Sequence, residues 1–367
     1  MIKIKSPGRV CLFGEHQDYL NYPVIAMAIS KFIYLEASRI SVQEFIVDLP
    51  NINDKLEIQL KNRELEYNSD RDYLRSGYNQ FLRKCVKFNK GYKIKIIGDI
   101  PINAGAASSS AFVIAWLSFL NLISGEKISK KELADIGYKT EVAEFGEAGG
   151  KMDFYTSIYG DIIYLKPTES LSEVIEIPMK LDGFVLGDSK EKKDTVEDLR
   201  RVKTLSKKAF KSLKEIMPKF KEFHTNLEDI KPILPSLNKE HQEKIIGNII
   251  NRDLTLSAKK LIIEWQKNKL RSPNSDEINN FYYQLGLLLN NHQTELSEHI
   301  KISTPKIDRM ISACIDEGAL GAKINGSGFG GTMFALFPNN QYSLKKAIEN
   351  VRGKAFSIKT SNGIERY

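Results

Sequence analysis

Residues 103–110 read Asn103-Ala104-Gly105-Ala106-Ala107-Ser108-Ser109-Ser110, and a long apolar run begins directly after them at Ala111. Upstream, Tyr92 to Ile97 alternates apolar and polar side chains as a strand does, and Gly98-Asp99-Ile100-Pro101 ends it. A strand that stops, a stretch of small residues and a helix point to mixed α and β structure. Without bulky side chains this backbone can approach a ligand closely. The unpaired N–H groups at the start of the helix lie at the positive end of its dipole, a place that favours phosphate. Ser108, Ser109 and Ser110 could add donors or a ligand for Mg²⁺, or simply cap the helix. There is no G-x-x-x-x-G-K-[ST] here, so the loop is not a Walker P-loop.

Working outward, Ile2 to Val10 reads as a short edge strand meeting the turn Ser6-Pro7-Gly8, and Val24 to Ile29 as a buried strand. Tyr34 to Ala37 and Phe45 to Val47 are further strands, and Tyr73 to Val86 has helical spacing. Beyond the loop, Ala111 to Ile123 and Lys131 to Phe145 read as helices and Ile158 to Leu165 as a strand. The chain changes character near Lys166-Pro167, and the second half is mostly helical, with Phe281 to Leu296 as one helix. Late strands are expected at Ala322 to Asn325 and Thr332 to Phe337. At about 150 residues per domain, 367 residues suggest two domains, placed at 1–170 and 171–367, of α+β class.

Composition excludes several classes. The chain is 42% hydrophobic and 27% charged, which rules out disorder and fibrous structure. The formal net charge is +8, and residues 190–221 hold twelve Lys or Arg against five Asp or Glu. Val196, Leu199, Val202, Leu205, Ala209, Leu213, Ile216 and Phe220 recur there every three or four residues. The segment is therefore an amphipathic helix with a basic solvated face, rather than a nucleic-acid surface. Cys11, Cys85 and Cys314 form no C-x-x-C pair, which fits a reducing compartment. No signal-peptide apolar region opens the chain, and no apolar run approaches the ~20 residues of a membrane span. A soluble, cytoplasmic protein is expected.

Two further segments carry chemistry. Gly8-Arg9-Val10-Cys11-Leu12-Phe13-Gly14-Glu15-His16-Gln17-Asp18-Tyr19 packs Arg, Glu, His and Asp beside two glycines and between apolar residues. Charges held in a partly buried segment need partners or a function. Two carboxylates and an imidazole suit recognition of several hydroxyls, as on a sugar. A single His makes metal ligation the weaker reading. Gly326-Ser327-Gly328-Phe329-Gly330-Gly331 looks superficially like a dinucleotide fingerprint. It lies between two strands near the carboxyl terminus, where a tight turn packed against another loop is the better reading.

Together and in this order, the three segments resemble the three motifs of the GHMP family of small-molecule kinases. The first is most similar to the galactokinase pattern G-R-V-N-L-I-G-E-H-T-D-Y; its charged residues all match, and Cys11 and Gln17 depart. The spacing from Glu141 to Asp153, ending Gly150-Lys151-Met152-Asp153, is similar to the same branch. The resemblance implies an amino-terminal domain like ribosomal protein S5 domain 2, a ferredoxin-like carboxyl-terminal domain, and an active site between them. It implies ATP-dependent phosphorylation of a small-molecule hydroxyl, in the galactokinase branch the anomeric hydroxyl of a sugar.

Roles follow from the resemblance. Asp153 would be the base, with Arg9 beside it offsetting charge on the transferring phosphoryl group. Glu15, His16, Asp18 and Gly150 would form the sugar site. Gly105, Ala106, Ala107, Ser108, Ser109 and Ser110 would cradle the ATP phosphates, and Ser109 and Glu141 would hold Mg²⁺. Gly326, Ser327, Gly328, Gly330 and Gly331 would buttress the phosphate loop. The resemblance implies galactose or a related sugar; the branch's sugar-contacting Tyr is missing near Arg200-Arg201, and Leu20-Asn21-Tyr22-Pro23 replaces its usual Asn/Gly-rich turn, departures that leave the identity of the sugar open. The alternatives are a kinase for a non-sugar alcohol such as mevalonate, and a non-catalytic sensor of sugar and ATP.

Overall fold

The structure, a computed structural model, describes residues 1–102, 104–168, 172–191, 195–269 and 272–367. β1 (Ile2–Phe13), β2 (Val24–Ile40), β3 (Glu44–Leu49), β4 (Asp54–Gln59), β5 (Gly91–Gly98), β6 (Ile162–Lys166) and β7 (Glu173–Ile177) build one sheet. Its order is β1-β2-β5-β3-β4; β6 pairs with the first part of β2, and β7 pairs with β6. β8 (Phe184–Asp188), β9 (Gly321–Asn325), β10 (Thr332–Leu336) and β11 (Lys354–Ile358) form a second, antiparallel sheet in the order β11-β8-β10-β9. β12 (Glu365–Arg366) returns to the first sheet beside Ile4 and Lys5 of β1.

The helices Tyr73–Leu82, Ser108–Ser124, Lys130–Tyr138 and Met152–Tyr159 pack with the first sheet around one core. Ser108–Ser124 is its spine, with Val113, Ile114, Trp116, Leu117 and Phe119 fully buried. Ser275–Glu298, Pro305–Asp316 and Gln341–Asn350 pack with the second sheet. A third core joins Tyr22 to Phe210 and Leu213 of Thr195–Ile216 and to Ile245 and Ile249 of Lys239–Lys269. The expected 170/171 boundary falls among residues outside those described, as do Asn103 and Lys192-Lys193-Asp194 of the two quoted segments. β7, on the carboxyl side of that boundary, belongs to the first sheet, and sheet membership changes between Ile177 and Phe184.

Four elements differ from expectation, each for a local reason. β1 is no short edge strand. It runs past Ser6-Pro7-Gly8 to Phe13, absorbing the turn residues in an irregularity between Pro7 and Arg9. The apolar run at Val24 and the alternating run at Tyr34 are one strand. Its first six residues are all buried and lie between β1 and β6 in the sheet, and its remainder has a solvated side. The helix expected over Lys131 to Phe145 stops at Tyr138 and widens into a π-turn over Lys139–Ala143. Ile158 ends a helix rather than starting a strand, because Gly160 and Asp161 both take positive φ and reverse the chain before β6.

Candidate active site

The three quoted segments, together with Glu141 and Asp153, converge on a cavity of about 550 Å³. One wall is the start of the Ser108–Ser124 helix. Ala107 occupies the N-cap in the left-handed region, with no side-chain cap bond. Among the described residues the first N–H groups of this 17-residue helix have no protein partner, Ser108, Ser109 and Ser110 line the cavity, and a helix start of this kind favours an anion. The serines are not caps. Ser109 Oγ instead donates to Glu141 Oε1 at 2.6 Å. The loop leans on Gly326, where φ is +82° and an added β-carbon would lie 2.6 Å from the Gly105 carbonyl. That contact is the physical content of the expected buttress; Gly328, Gly330 and Gly331 also take positive φ, but Gly328 packs on Ile302 and Gly330 on Glu191, and none of the three lines the cavity.

Glu141 hangs inward from the π-turn. Burial pushes its carboxyl up to about 7 against the opposing pull of the Ser109 hydroxyl. Its Oε2 is buried with no hydrogen-bond partner. An orphaned carboxylate oxygen beside a hydroxyl, at a helix start built for phosphate, fits Mg²⁺, which takes one or two protein oxygens and completes its shell with phosphate and water. No group of three His, Cys, Asp or Glu suited to a metal exists among the described residues, so a site made by protein ligands alone is not what the fold offers.

Arg9, on β1, meets Asp153, in the first turn of Met152–Tyr159, through two parallel bonds: Nε to Oδ1 at 2.8 Å and Nη2 to Oδ2 at 2.9 Å. The third guanidinium nitrogen, Nη1, donates to the Gly105 carbonyl of the phosphate loop. This fork fixes the orientation of the carboxylate relative to the phosphate-binding helix. Ala106 is fully buried rather than on the cavity wall; its carbonyl accepts from the Arg9 N–H at 3.1 Å.

The turn after β1 supplies the other wall. Asp18 accepts from the N–H groups of Tyr19 at 2.9 Å and Met152 at 3.2 Å. Burial raises it to about 6, opposed by the Met152 N–H and reinforced by Asp153. Gly150 is required there, since a β-carbon would sit 1.7 Å from Asp18 Oδ2. His16 lines the cavity, but its ring is a latch: Nδ1 bonds the Tyr19 hydroxyl at 2.9 Å and Nε2 the Ser327 carbonyl at 3.0 Å. Glu15 is buried, with Oε2 held 3.1 Å from Lys323 Nζ. The Lys239–Lys269 helix braces the turn, Asn251 Nδ2 donating to the Glu15 carbonyl at 3.0 Å and Gln17 Nε2 to the Asn248 carbonyl at 2.6 Å.

Three contributors escaped the motif reading. Lys323 and Asn325 of β9 lie fully buried behind the site. A cation and an amide inside a five-residue strand that is buried throughout were the available signal. Leu199 lines the cavity and Lys203 donates to the Ala148 carbonyl at 3.0 Å, so the basic helix turns part of one face toward the site. Ile33, Leu49, Leu56, Ile96 and Ile100 form an apolar lobe of the cavity with Asn51. Those residues come from β2 to β5 and the turns beside them, with no local motif to join them.

Known family profiles match the chain in three places. The GHMP kinases N terminal domain matches residues 72–161, the GHMP kinases C terminal matches 278–357, and the galactokinase galactose-binding signature matches 2–39. A mevalonate kinase of Pyrococcus furiosus is 29% identical over 357 residues, covering 95% of this chain and 92% of that protein. A galactokinase of Thermotoga maritima is 26% identical over 387 residues, covering 100% of both. The crystal structure of Lactococcus lactis galactokinase complexed with galactose is similar with a TM-score of 0.84 at 18% identity, covering 100% of this chain and 95% of that one. The matches and the arrangement of the two sheets define a two-domain small-molecule kinase fold. The chain belongs to the GHMP kinase family, and its β1–β2 segment carries the signature of the galactokinase branch. No helix among the described residues is long and apolar enough to cross a membrane.

Proposed function

We propose that this chain is a cytoplasmic ATP-dependent sugar kinase that phosphorylates the anomeric hydroxyl of galactose or a related sugar, giving the sugar 1-phosphate. The observation that carries the reading is the Arg9–Asp153 fork, set between a helix start open to phosphate and the Glu15–Asp18 turn. Asp153 takes the proton of the attacking hydroxyl. Arg9 holds that carboxylate and offsets charge on the transferring phosphoryl group. Little covalent work is needed beyond this, because phosphoryl transfer depends mostly on position and charge. Gly105 to Ser110 cradle the ATP phosphates, the apolar lobe takes the base, and Gly326 to Gly331 support the loop. Ser109 and Glu141 would hold Mg²⁺, which would supply positive charge to offset that of the ATP phosphates. Residues 1–170 and 171–367 act as the two domains, with β7 completing the first sheet. Three free cysteines fit a reducing compartment.

The substrate end favours a polyhydroxyl ligand. Glu15, Asp18 and Asp153 offer acceptors there, while Arg9 is already paired and Lys323 lies behind Glu15. The Pyrococcus furiosus relative supports a second reading, mevalonate. Its carboxylate would meet three carboxylates at this end of the cavity, which is unfavourable at short range. The test is Mg²⁺-dependent ADP release with galactose, N-acetylgalactosamine, glucose, arabinose, fucose, glucuronate, mannose and mevalonate. Sugar-dependent turnover abolished in Asp153→Asn is expected. Turnover with mevalonate alone, or an Asp153→Asn enzyme as active as the parent, refutes the reading.

A further inference from the structure

The outer edge of β1 is covered by β12 only at Ile4 and Lys5. Farther along, where Arg9 sits, no strand among the described residues pairs with that outer edge, yet backbone groups there are satisfied. The Arg9 N–H reaches the Ala106 carbonyl at 3.1 Å, the Cys11 N–H reaches Asn325 Oδ1 at 2.8 Å, and the Cys11 carbonyl accepts from Lys323 Nζ at 2.9 Å. The phosphate loop and two alternate residues of β9, which share one strand face, thus stand in for a neighbouring strand.

Asn325 does more than close this edge. Its Nδ2 donates to the Gly105 carbonyl at 2.9 Å and to Thr332 Oγ1 at 3.2 Å. The Gly105 carbonyl is also the acceptor for Arg9 Nη1. One carbonyl with two lone pairs is therefore shared by an amide from the carboxyl-terminal half and the guanidinium that grips Asp153. The Asn325 amide accepts from the Cys11 N–H while donating to Gly105; aspartate lacks the donor, and leucine lacks both groups.

We infer that Asn325 is a positioning residue for the reaction, holding the Gly105 carbonyl and the β1 backbone so that Arg9 is aimed at Asp153. The inference rests on the reading of Arg9 and Asp153 as the catalytic pair. Asn325→Asp keeps the acceptor and sets a carboxylate against the Gly105 carbonyl. It is measured in the parent and in an Arg9→Lys background, by kcat and by KM for sugar and MgATP. The expected loss in kcat is at least about tenfold in the parent, the scale of a small misplacement of reacting groups, with both KM values held within about threefold. In Arg9→Lys the same change is expected to cost less than about threefold, because the two residues act through one carbonyl. Equal losses in both backgrounds, a loss confined to KM, or no loss in the parent overturns the inference. If Asn325→Asp shows no cooperative melting, Asn325→Ser carries the same readings without the added charge. An Asp153→Asn enzyme with full turnover sinks the reading of the site; an inactive Asp153→Asn beside an unaffected Asn325→Asp sinks only the positioning role.

Discussion

Lys323→Met tests how the two halves of the site are held together. Lys323 is fully buried and donates to Glu15 Oε2 at 3.1 Å, the Cys11 carbonyl at 2.9 Å and the Ile324 carbonyl at 2.6 Å. Methionine keeps the bulk and removes the charge, leaving Glu15 buried opposite a thioether. The Glu15 charge is then left buried without its partner, and removing one member of a buried pair typically costs ~3–5 kcal/mol. Two carbonyls also lose a donor, at about 1 kcal/mol each, while Arg9, whose charge also acts on Glu15, offsets part of the loss, so about 4 kcal/mol is expected. At ~2.1 cal/mol/K per residue, a cooperative unit of this length has an unfolding entropy of about 0.8 kcal/mol/K, so the melting temperature should fall by about 5 °C at pH 7. Glu15→Gln/Lys323→Met should be more stable at pH 7 than Lys323→Met alone. Differential scanning calorimetry decides it. A melting temperature unchanged in Lys323→Met, or a double variant no better than the single, refutes the coupling.

Gly150→Ala places a β-carbon 1.7 Å from Asp18 Oδ2, so the carboxylate must leave its position; steady-state kinetics should show KM for the sugar raised at least about tenfold, with KM for MgATP little changed. Glu141, raised to about 7 by burial, holds its proton more tightly when folded. The metal-free protein should therefore lose stability as pH rises from about 4.3 through 7, and thermal melts of Glu141→Gln should show that slope reduced. On the proposed role of Glu141, the proton and Mg²⁺ would compete for one carboxylate, so the Mg²⁺ concentration for half-maximal turnover should rise as pH falls below about 7 in the parent and not in Glu141→Gln.

The fold was readable wherever a local rule decides the backbone. The small-residue loop before Ala111 announced a strand-to-helix passage, and the Ser108–Ser124 helix sits there with an uncapped start. Errors came where tertiary packing overrode a local signal. Ser6-Pro7-Gly8 carries turn chemistry, yet β1 continues through it because β2 pairs on both sides of the irregularity. Lys131 to Phe145 has helical spacing throughout. The turn widens at Lys139–Ala143, where Glu141 accepts from Ser109 of another helix, and periodicity cannot register that contact.

The same division explains the site. Arg9 and the serine loop stand out because each lies in a short, compositionally odd segment, whereas the resemblance of their spacing to the family pattern picks out Glu141 and Asp153. Their pairing joins residues 144 apart in the case of Arg9 and Asp153, and 32 apart for Ser109 and Glu141. His16 shows the limit of reading chemistry from residue type. An imidazole among carboxylates suggests a ligand contact, but at positive φ its ring is turned to join Tyr19 to the Ser327 carbonyl, 311 residues away. Both ring nitrogens are committed to the protein, so its effect on a bound sugar runs through the turn it pins. Lys323 and Asn325 reverse the case: neither lies in a motif, and each reaches Cys11 from more than 300 positions away. Gly321–Asn325 is buried at all five positions. A cation within such a strand requires a buried anion, and an amide requires both a donor and an acceptor. Local chemistry therefore states the demand, while the identity of the partners, Glu15 for the cation and the Cys11–Gly105 pair for the amide, depends on how the second sheet is laid against the first.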